Sequence, residues 1–286
     1  MDSKPFSEIV LSYIQTEPLL KAKDAGLRAF SISTDLGITE TEAILQSDDV
    51  IFTDDLCASW RAIEHITKQE NSCFYLREGE PVPIQSYSKI LDCFYSLYPT
   101  ESAPTLLISG IPMHRIKDTN PHQDTMNKIK AIAPIRGRIL DTATGLGYTA
   151  IAAAQTADYV TTIELDPTVL EIAQFNPWSK ELFDNPCIDQ VIDGAFERIT
   201  TLDANSFTCI IHDPPTFSLA GELYSTAFYI QAYRVLTPKG RMFHYIGDPN
   251  SKSGNRTTRG VVQRLKEAGF RRVVRRSEAF GVVAYK

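Results

Sequence analysis

From about residue 120 onward, short apolar runs alternate with helical stretches along the chain. Runs of four to six apolar or β-branched residues bounded by turn signals read as buried strands. They predict strands at Arg138–Asp141, Tyr159–Glu164, Gln190–Ile192, Thr208–His212, Arg241–Ile246, Arg271–Arg275 and Phe280–Ala284, with helices between most of them. That order is the signature of a mostly parallel α/β sheet. Only a few residues join the last two strands, too few for a crossover helix, so these two must pair as an antiparallel hairpin.

The earlier part of the chain is patterned differently. Phe6–Ile14 reads as a helix. Leu27–Ser33 alternates, with Phe30 and Ile32 against Ser31 and Ser33, and reads as a strand. Val50–Thr53 and Cys73–Leu76 are further short strands, and Ser59 is placed to cap a helix carrying Trp60, Ile63 and Ile66 on one side. Pro99, Pro104, Pro112, Pro121 and Pro134 then punctuate the middle of the chain. The expected division is a small α+β domain over residues 1–109 and an α/β domain over 110–286.

Composition narrows the classes of function. Of 286 residues, 43% are hydrophobic and 22% charged, an ordinary globular balance. No apolar run reaches the ~18 residues a membrane span needs. The start, Met1-Asp2-Ser3-Lys4-Pro5, lacks the form of a signal peptide. Five cysteines in no CxxC pairing argue against a zinc site or a disulfide framework and suit a reducing cytoplasm. Cys209, inside an apolar run, reads as a small buried hydrophobe. No His/Cys/Asp cluster has metal-ligand spacing. The net charge of −6 is uneven: −9 over residues 1–109, −5 over 110–250 and +8 over 251–286. A basic end on an acidic protein is either a local patch for phosphate or nucleic acid or a solvated face.

The chemistry concentrates at strand ends. Asp141-Thr-Ala143-Thr-Gly145-Leu-Gly147-Tyr148-Thr-Ala150 runs from strand through a glycine turn into a helix, where backbone can approach a ligand closely. Gly145, Gly147 and Ala150 also fit the dinucleotide pattern GxGxxA. Glu164 ends the next strand, where an acid can hold both ribose hydroxyls. Asp193 follows the third strand, where an acid can accept from an adenine amino group. Asp141 decides between ligands: a carboxylate there repels a pyrophosphate but suits the ammonium and sulfonium of S-adenosylmethionine. Together Asp141, Gly145, Gly147, Glu164 and Asp193 resemble the successive cofactor motifs of class I methyltransferases, with Ala143 where the first glycine is usual. The resemblance implies a Rossmann-like class I methyltransferase sheet, with S-adenosylmethionine as cofactor.

After the fourth strand comes Asp213-Pro214-Pro215-Thr216-Phe217-Ser218. The carboxyl ends of strands in open α/β sheets form the active-site crevice. Two prolines supply no N–H and leave carbonyls free as acceptors. Asp213 and the Pro214 carbonyl can grip a target amine, and Phe217 can stack on a planar substrate. This string resembles the catalytic loop of bacterial ribosomal RNA methyltransferases. It is also similar to the Asp/Asn-Pro-Pro-aromatic motif of amino-methylating enzymes, with the aromatic one place later, so nitrogen and carbon targets both stay open. The stretch from Ser109-Gly-Ile-Pro-Met113-His114-Arg115 to the C-terminus, including Ser218 to Tyr224, resembles an archaeal-type family of predicted methyltransferases. The implied catalytic residues are Asp213, Pro214 and Phe217, and the acceptor is RNA or a small molecule.

Other residues are weaker candidates. His114 and Arg115 lie at the domain join, and Asp124-Thr125 begins a helix, as a cap or a contact to the methionine end of the cofactor. His212 and His244 end strands as structural histidines or general bases. Lys252, Arg256 and Arg259 lie after the fifth strand, as acceptor contacts if the acceptor is RNA. The rival reading is aminopropyl transfer, because spermidine synthases join a small N-terminal β domain to the same catalytic fold and use decarboxylated S-adenosylmethionine. A nicotinamide oxidoreductase is disfavoured by Asp141, and a non-catalytic binding module by the intact Asp213 loop.

Overall fold

The structure, a computed structural model, describes residues 9–53, 56–215, 220–248 and 252–286. The chain forms two compact units, residues up to 122 together with 168–181, and residues 123–167 together with 182–286.

The first unit contains β1 (Val10–Leu11), α1 (Tyr13–Asp24), β2 (Ala29–Ile32), β3 (Thr41–Leu45), β4 (Asp49–Thr53), β5 (Leu56–Ser59), α2 (Trp60–Thr67), β6 (Phe74–Arg77), β7 (Glu80–Pro83), β8 (Gln85–Ser88), β9 (Cys93–Tyr98), β10 (Thr105–Ile108) and β11 (Ile111–Pro112). They make three antiparallel sheets among the described residues, in the orders β1-β6-β7, β2-β3-β4-β5 and β11-β10-β9-β8. Leu11, Leu19, Ile63, Ile66 and Phe74 meet in the buried centre. Ser59 caps α2 as expected, its hydroxyl accepting from the Ala62 N–H at 3.2 Å.

The helix expected over Phe6–Ile14 is not formed. Val10 and Leu11 pair with β6 as a strand, and residues 6–8 lie outside those described. Ser12 sets the true start. Its hydroxyl accepts from the Ile14 N–H, and the Gln15 side chain accepts from the Ser12 N–H at 3.0 Å. This reciprocal cap starts the helix at Tyr13. The join expected at 109/110 falls in the turn between β10 and β11, where Ile108 pairs with Ile111. Ser109 (φ 47°) and Gly110 (φ 83°) both adopt the left-handed conformation that tight hairpin turns require. Residues 110–112 therefore close a sheet of the first unit. That unit also takes in 168–181, where the Phe175 ring stacks on Tyr75 at 4.6 Å and Trp178 Nε1 donates to Leu36 O at 3.0 Å.

The second unit is built on α3 (Pro121–Ile132), β12 (Arg138–Asp141), α4 (Tyr148–Ala154), β13 (Tyr159–Glu164), α5 (Pro167–Ala173), α6 (Lys180–Asp184), β14 (Ile188–Ile192), α7 (Ala195–Thr201), β15 (Phe207–His212), α8 (Thr226–Val235), β16 (Leu236–Tyr245), α9 (Lys252–Glu267), β17 (Arg272–Arg276) and β18 (Gly281–Tyr285). The divisions between the two units fall within α3, α5 and α6, so that most of α5 belongs to the first unit. Seven described strands form one sheet in the order β14-β13-β12-β15-β16-β18-β17. β12 to β16 run parallel, and β18 pairs antiparallel with both β16 and β17. This is the Rossmann-like sheet with a C-terminal antiparallel hairpin expected from the sequence. Leu140, Ile163, Ile210, Met242 and Val283 are almost wholly buried, as central strands covered on both faces require.

Chain order reverses between β12 and β15, because β13 and β14 lie on one side of β12 and β16 on the other. A reversal of this kind opens a crevice at the carboxyl ends of the strands. Asp141 ends β12, and Asp213 directly follows the end of β15.

Candidate functional site

Asp141 is fully buried. Its Oδ2 accepts from the hydroxyls of Thr149 and Thr162, each at 3.1 Å. Thr144 then donates to the Thr162 oxygen at 2.7 Å, since the Thr162 proton is committed to Asp141. Oδ1 of Asp141 is buried with no hydrogen-bond partner among the described residues. Burial pushes the Asp141 carboxyl up to about 7, against the two threonine hydroxyls, and the nearby charge of Asp213 adds to the rise. A buried, unpartnered carboxylate oxygen is costly. A cationic group placed against it would remove that cost.

The loop after Asp141 is shaped by its own packing. Gly145 (φ 53°) and Gly147 (φ 80°) take left-handed conformations. A Cβ on Gly147 would lie 2.7 Å from the Leu182 side chain. The space beside this glycine is thus filled by Leu182, and the residue serves the turn and the packing of α4.

Glu164 ends β13 and is half-buried. Its two oxygens accept from the Gly145 N–H at 2.9 Å and the Asp166 N–H at 3.1 Å. Burial raises its carboxyl above the ordinary range, opposed by those two N–H donors. Each carboxylate oxygen can accept a second bond, so Glu164 can tie down the glycine loop and still receive hydroxyl donors. Asp193 is half-buried after β14. Its Oδ1 accepts from the Gly194 N–H at 2.8 Å, and its own N–H donates to Glu164 O at 2.9 Å. The acids anticipated at three successive strand ends do stand there in order.

Asp213, read from the sequence as gripping a target amine together with the Pro214 carbonyl, already has a charged partner. Its Oδ2 receives the Lys128 ammonium at 2.6 Å, and Lys128 also lies 2.8 Å from Asp124. The Lys128 Nζ sits 4.9 Å from the centre of the Tyr245 ring. Burial disfavours the ammonium, but Asp213 and Asp124 outweigh it and hold Lys128 above its ordinary value. Burial raises the Asp213 carboxyl above its ordinary range, Lys128 opposes this only in part, and the charge of Asp124 adds to the rise. The Asp213 side chain keeps 19% of its surface, and its Oδ1 makes no hydrogen bond among the described residues. Pro214 is buried beside it.

Lys128 was not read from the sequence, although a signal was present. Pro121, Asp124, Thr125, Lys128 and Ile132 are the buried positions of α3. Their spacing is that of one helix face, and two of them are charged. Asp124 therefore pairs with Lys128 one turn on, and Asp124-Thr125 lies inside the helix that begins at Pro121, where neither residue caps it.

His212 and His244 are both 0% exposed. His212 Nε2 donates to Leu223 O at 2.9 Å, so its Nδ1 accepts from the Thr142 hydroxyl at 2.6 Å. Burial holds His212 down to about 3. His244 Nε2 is paired with the Tyr229 hydroxyl at 2.8 Å, and burial holds it well below its ordinary value too. Neutral and enclosed, these histidines brace the strand ends. Tyr224, also missed from the sequence, donates its hydroxyl to Pro215 O at 3.0 Å. With the His212–Leu223 bond it fixes both ends of the loop after Asp213. Phe217 lies in that loop, outside the described residues.

His114 Nδ1 is 3.0 Å from the Thr105 hydroxyl in the first unit, and Arg115 is half-buried next to it. Arg256 and Arg259 are exposed on α9, a helix that begins at Lys252. Cys209 is buried and free, as expected. Among the described residues no His, Cys, Asp or Glu group is arranged to hold a metal ion, and no helix is long and apolar enough to cross a membrane.

The order and direction of the strands give a Rossmann-like α/β fold of the kind class I methyltransferases have. The chain belongs to the same family as the Uncharacterized protein MJ1233 of Methanocaldococcus jannaschii, with 44% identity over 230 residues, 80% of this chain and 78% of that one. A polyamine aminopropyltransferase of Mycobacterium tuberculosis is 35% identical over 100 residues, 33% of this chain and 19% of that protein. Among solved structures, a spermidine synthase in complex with the transition state analogue AdoDATO shares the fold with a TM-score of 0.57. Its identity is 19%, over 70% of this chain and 71% of that one. No family model matches the chain.

Proposed function

We propose that this protein is an S-adenosylmethionine-dependent methyltransferase that modifies a nitrogen or a carbon of a planar acceptor, RNA in the first instance. The observation that carries the donor half is the unpartnered buried oxygen of Asp141 at the strand reversal. S-adenosylmethionine supplies an electrophilic methyl group on a sulfonium when bound. Asp141 suits the positive charge of that donor, Glu164 its ribose hydroxyls and Asp193 its adenine amino group.

The acceptor half rests on Asp213. Its Oδ1 and the Pro214 carbonyl can accept hydrogen bonds from an acceptor N–H and orient the lone pair. Such alignment supplies much of the barrier reduction when the leaving group is already good. Lys128 holds Oδ2, so the carboxylate keeps one orientation. The fixed loop ends at Pro215 and Leu223 keep this group in place.

Aminopropyl transfer remains the second reading, favoured by the identity to the polyamine aminopropyltransferase and by the spermidine synthase fold match. One experiment separates the two. The protein is incubated with cell extract and either methyl-labelled S-adenosylmethionine or its decarboxylated form, and label is counted in RNA, protein and small molecules. Label from the first donor in RNA supports methyl transfer. Label only from the second donor, in polyamines, replaces it.

A further inference from the structure

The basic charge of residues 251–286 gathers on two packed elements of the second unit. On α9, Arg256, Arg259, Gln263 and Lys266 are exposed, and steps of three and four residues set them in one stripe. Arg264 is turned away, its Nε donating to Tyr224 O at 2.7 Å. On the edge strand β17, Arg275 is exposed. Between helix and strand lies an open groove of about 340 Å³ lined by Arg259, Val262, Gln263, Lys266, Val273 and Arg275. Its floor is apolar, from half-buried Val262 and Val273, and its walls carry three cations. Among the described residues no carboxylate pairs with Arg256, Arg259, Lys266 or Arg275. Glu267, the acid of this helix, is bonded to Gln263 at 2.9 Å.

We infer that this groove is a docking track for the backbone of single-stranded RNA. The inference rests on the transferase reading for the identity of the acceptor. Cations held apart on a rigid helix and strand, with an apolar floor, suit a chain of phosphates with sugars and bases between them. The recessed valines cannot insert into a bilayer. The rest of the chain is net acidic, so the basic excess that would attract a polyanion lies in this C-terminal stretch. The track also points the right way. α9 begins a few residues after Tyr245, whose ring lies against Lys128, the partner of Asp213. A strand seated on Lys266, Arg275 and Arg259 continues past Arg256 toward that strand end. A base reaching Asp213 must be unstacked, and unpaired polynucleotide in a cell is chiefly RNA.

The test is fluorescence anisotropy with labelled poly(U) over a salt series. The full chain is compared with Arg259→Gln/Lys266→Gln/Arg275→Gln and with a control that removes three exposed cations of the first unit, Arg28→Gln/Lys68→Gln/Lys89→Gln. The groove variant is expected to bind at least tenfold more weakly, with a logarithmic salt slope smaller by about 2, at ~0.7 per phosphate contact. The control should keep the parental slope. Equal losses in both variants, or none in the groove variant, overturn the track. Labelled polyglutamate binding as tightly as poly(U) would overturn the RNA assignment in favour of an acidic protein partner. Calorimetry with S-adenosylmethionine on the same samples keeps the two claims apart. Lost RNA binding with intact cofactor binding in the groove variant supports the track. RNA binding through the groove by a parent that binds no cofactor refutes the transferase reading alone.

Discussion

Asp213 carries its charge against one buried cation and near a second acid. Lys128 holds one oxygen, and Asp141 lies close enough to feel the charge. On the proposed role, in which Asp213 grips the acceptor, Asp213→Ala is expected to leave cofactor affinity nearly intact while cutting transfer steeply. Asp213→Asn can still accept a hydrogen bond, so partial activity marks an aligning role and a loss as deep as alanine's marks a role for the charge. Lys128→Met removes the ammonium that lowers the Asp213 carboxyl. Two carboxylates are then left without their shared cation, a loss of about 3–5 kcal/mol in chemical melts. The acid limb of the pH–rate profile should move upward. A profile that stays in place with lowered stability would make Lys128 purely structural. Asp141 offers a separate test through folding. Its carboxyl is raised from an ordinary 3.8 to about 7, so between those values the folded chain holds a proton that the unfolded chain has lost. Its contribution to stability accordingly falls as pH rises through that window. Asp141→Asn is expected to be more stable than the parent above pH 7 and to approach it near pH 4, read from urea melts at several pH values. Equal stability at all pH values would contradict the burial argument.

At the level of elements, the central parallel strands β12, β13 and β15 were legible because they are buried on both faces. Arg138–Asp141 and Tyr159–Glu164 lie where the apolar runs put them, and the acids at their ends follow. The first unit was harder to read. β7 (Glu80–Pro83) contains two prolines and β8 (Gln85–Ser88) is mostly polar, so both look like turns in sequence although edge strands accept such residues. The β10–β11 hairpin was hidden by Pro112, which looked like part of a linker. Lys128 was obscured because a lysine on a helix is read as solvated unless a distant acid calls it inward, and Asp213 is 85 residues away. The glycine turn makes its own prediction. Gly147→Ala forces a left-handed alanine and a contact with Leu182, so it should cost about 1–3 kcal/mol of stability. A neutral substitution in thermal melts would mean the loop can relax around Leu182.

Across the whole molecule, the site's polarity and the outer charge are opposite. The acids Asp141, Glu164, Asp193 and Asp213 cluster at the strand ends, while the last 36 residues carry the basic excess. Acids gathered at the strand ends suit the cationic donor proposed above, and a basic face suits a polyanionic acceptor. The places of the four strand-end acids and the fold could be read from the sequence, because glycines and acids at fixed places after apolar runs form a pattern. The ion triad and the clamps from Tyr224 and His212 needed tertiary structure, since each joins residues distant in the chain. The most direct test of the central claim is calorimetric titration with S-adenosylmethionine of the parent, Glu164→Ala and Asp213→Ala, with NAD as the comparison ligand. The expected result is saturable binding of S-adenosylmethionine alone, weakened in Glu164→Ala by about 1.5–3 kcal/mol, the range for hydrogen bonds to a charged group, and nearly unchanged in Asp213→Ala. Tight NAD binding with no heat from S-adenosylmethionine would contradict it.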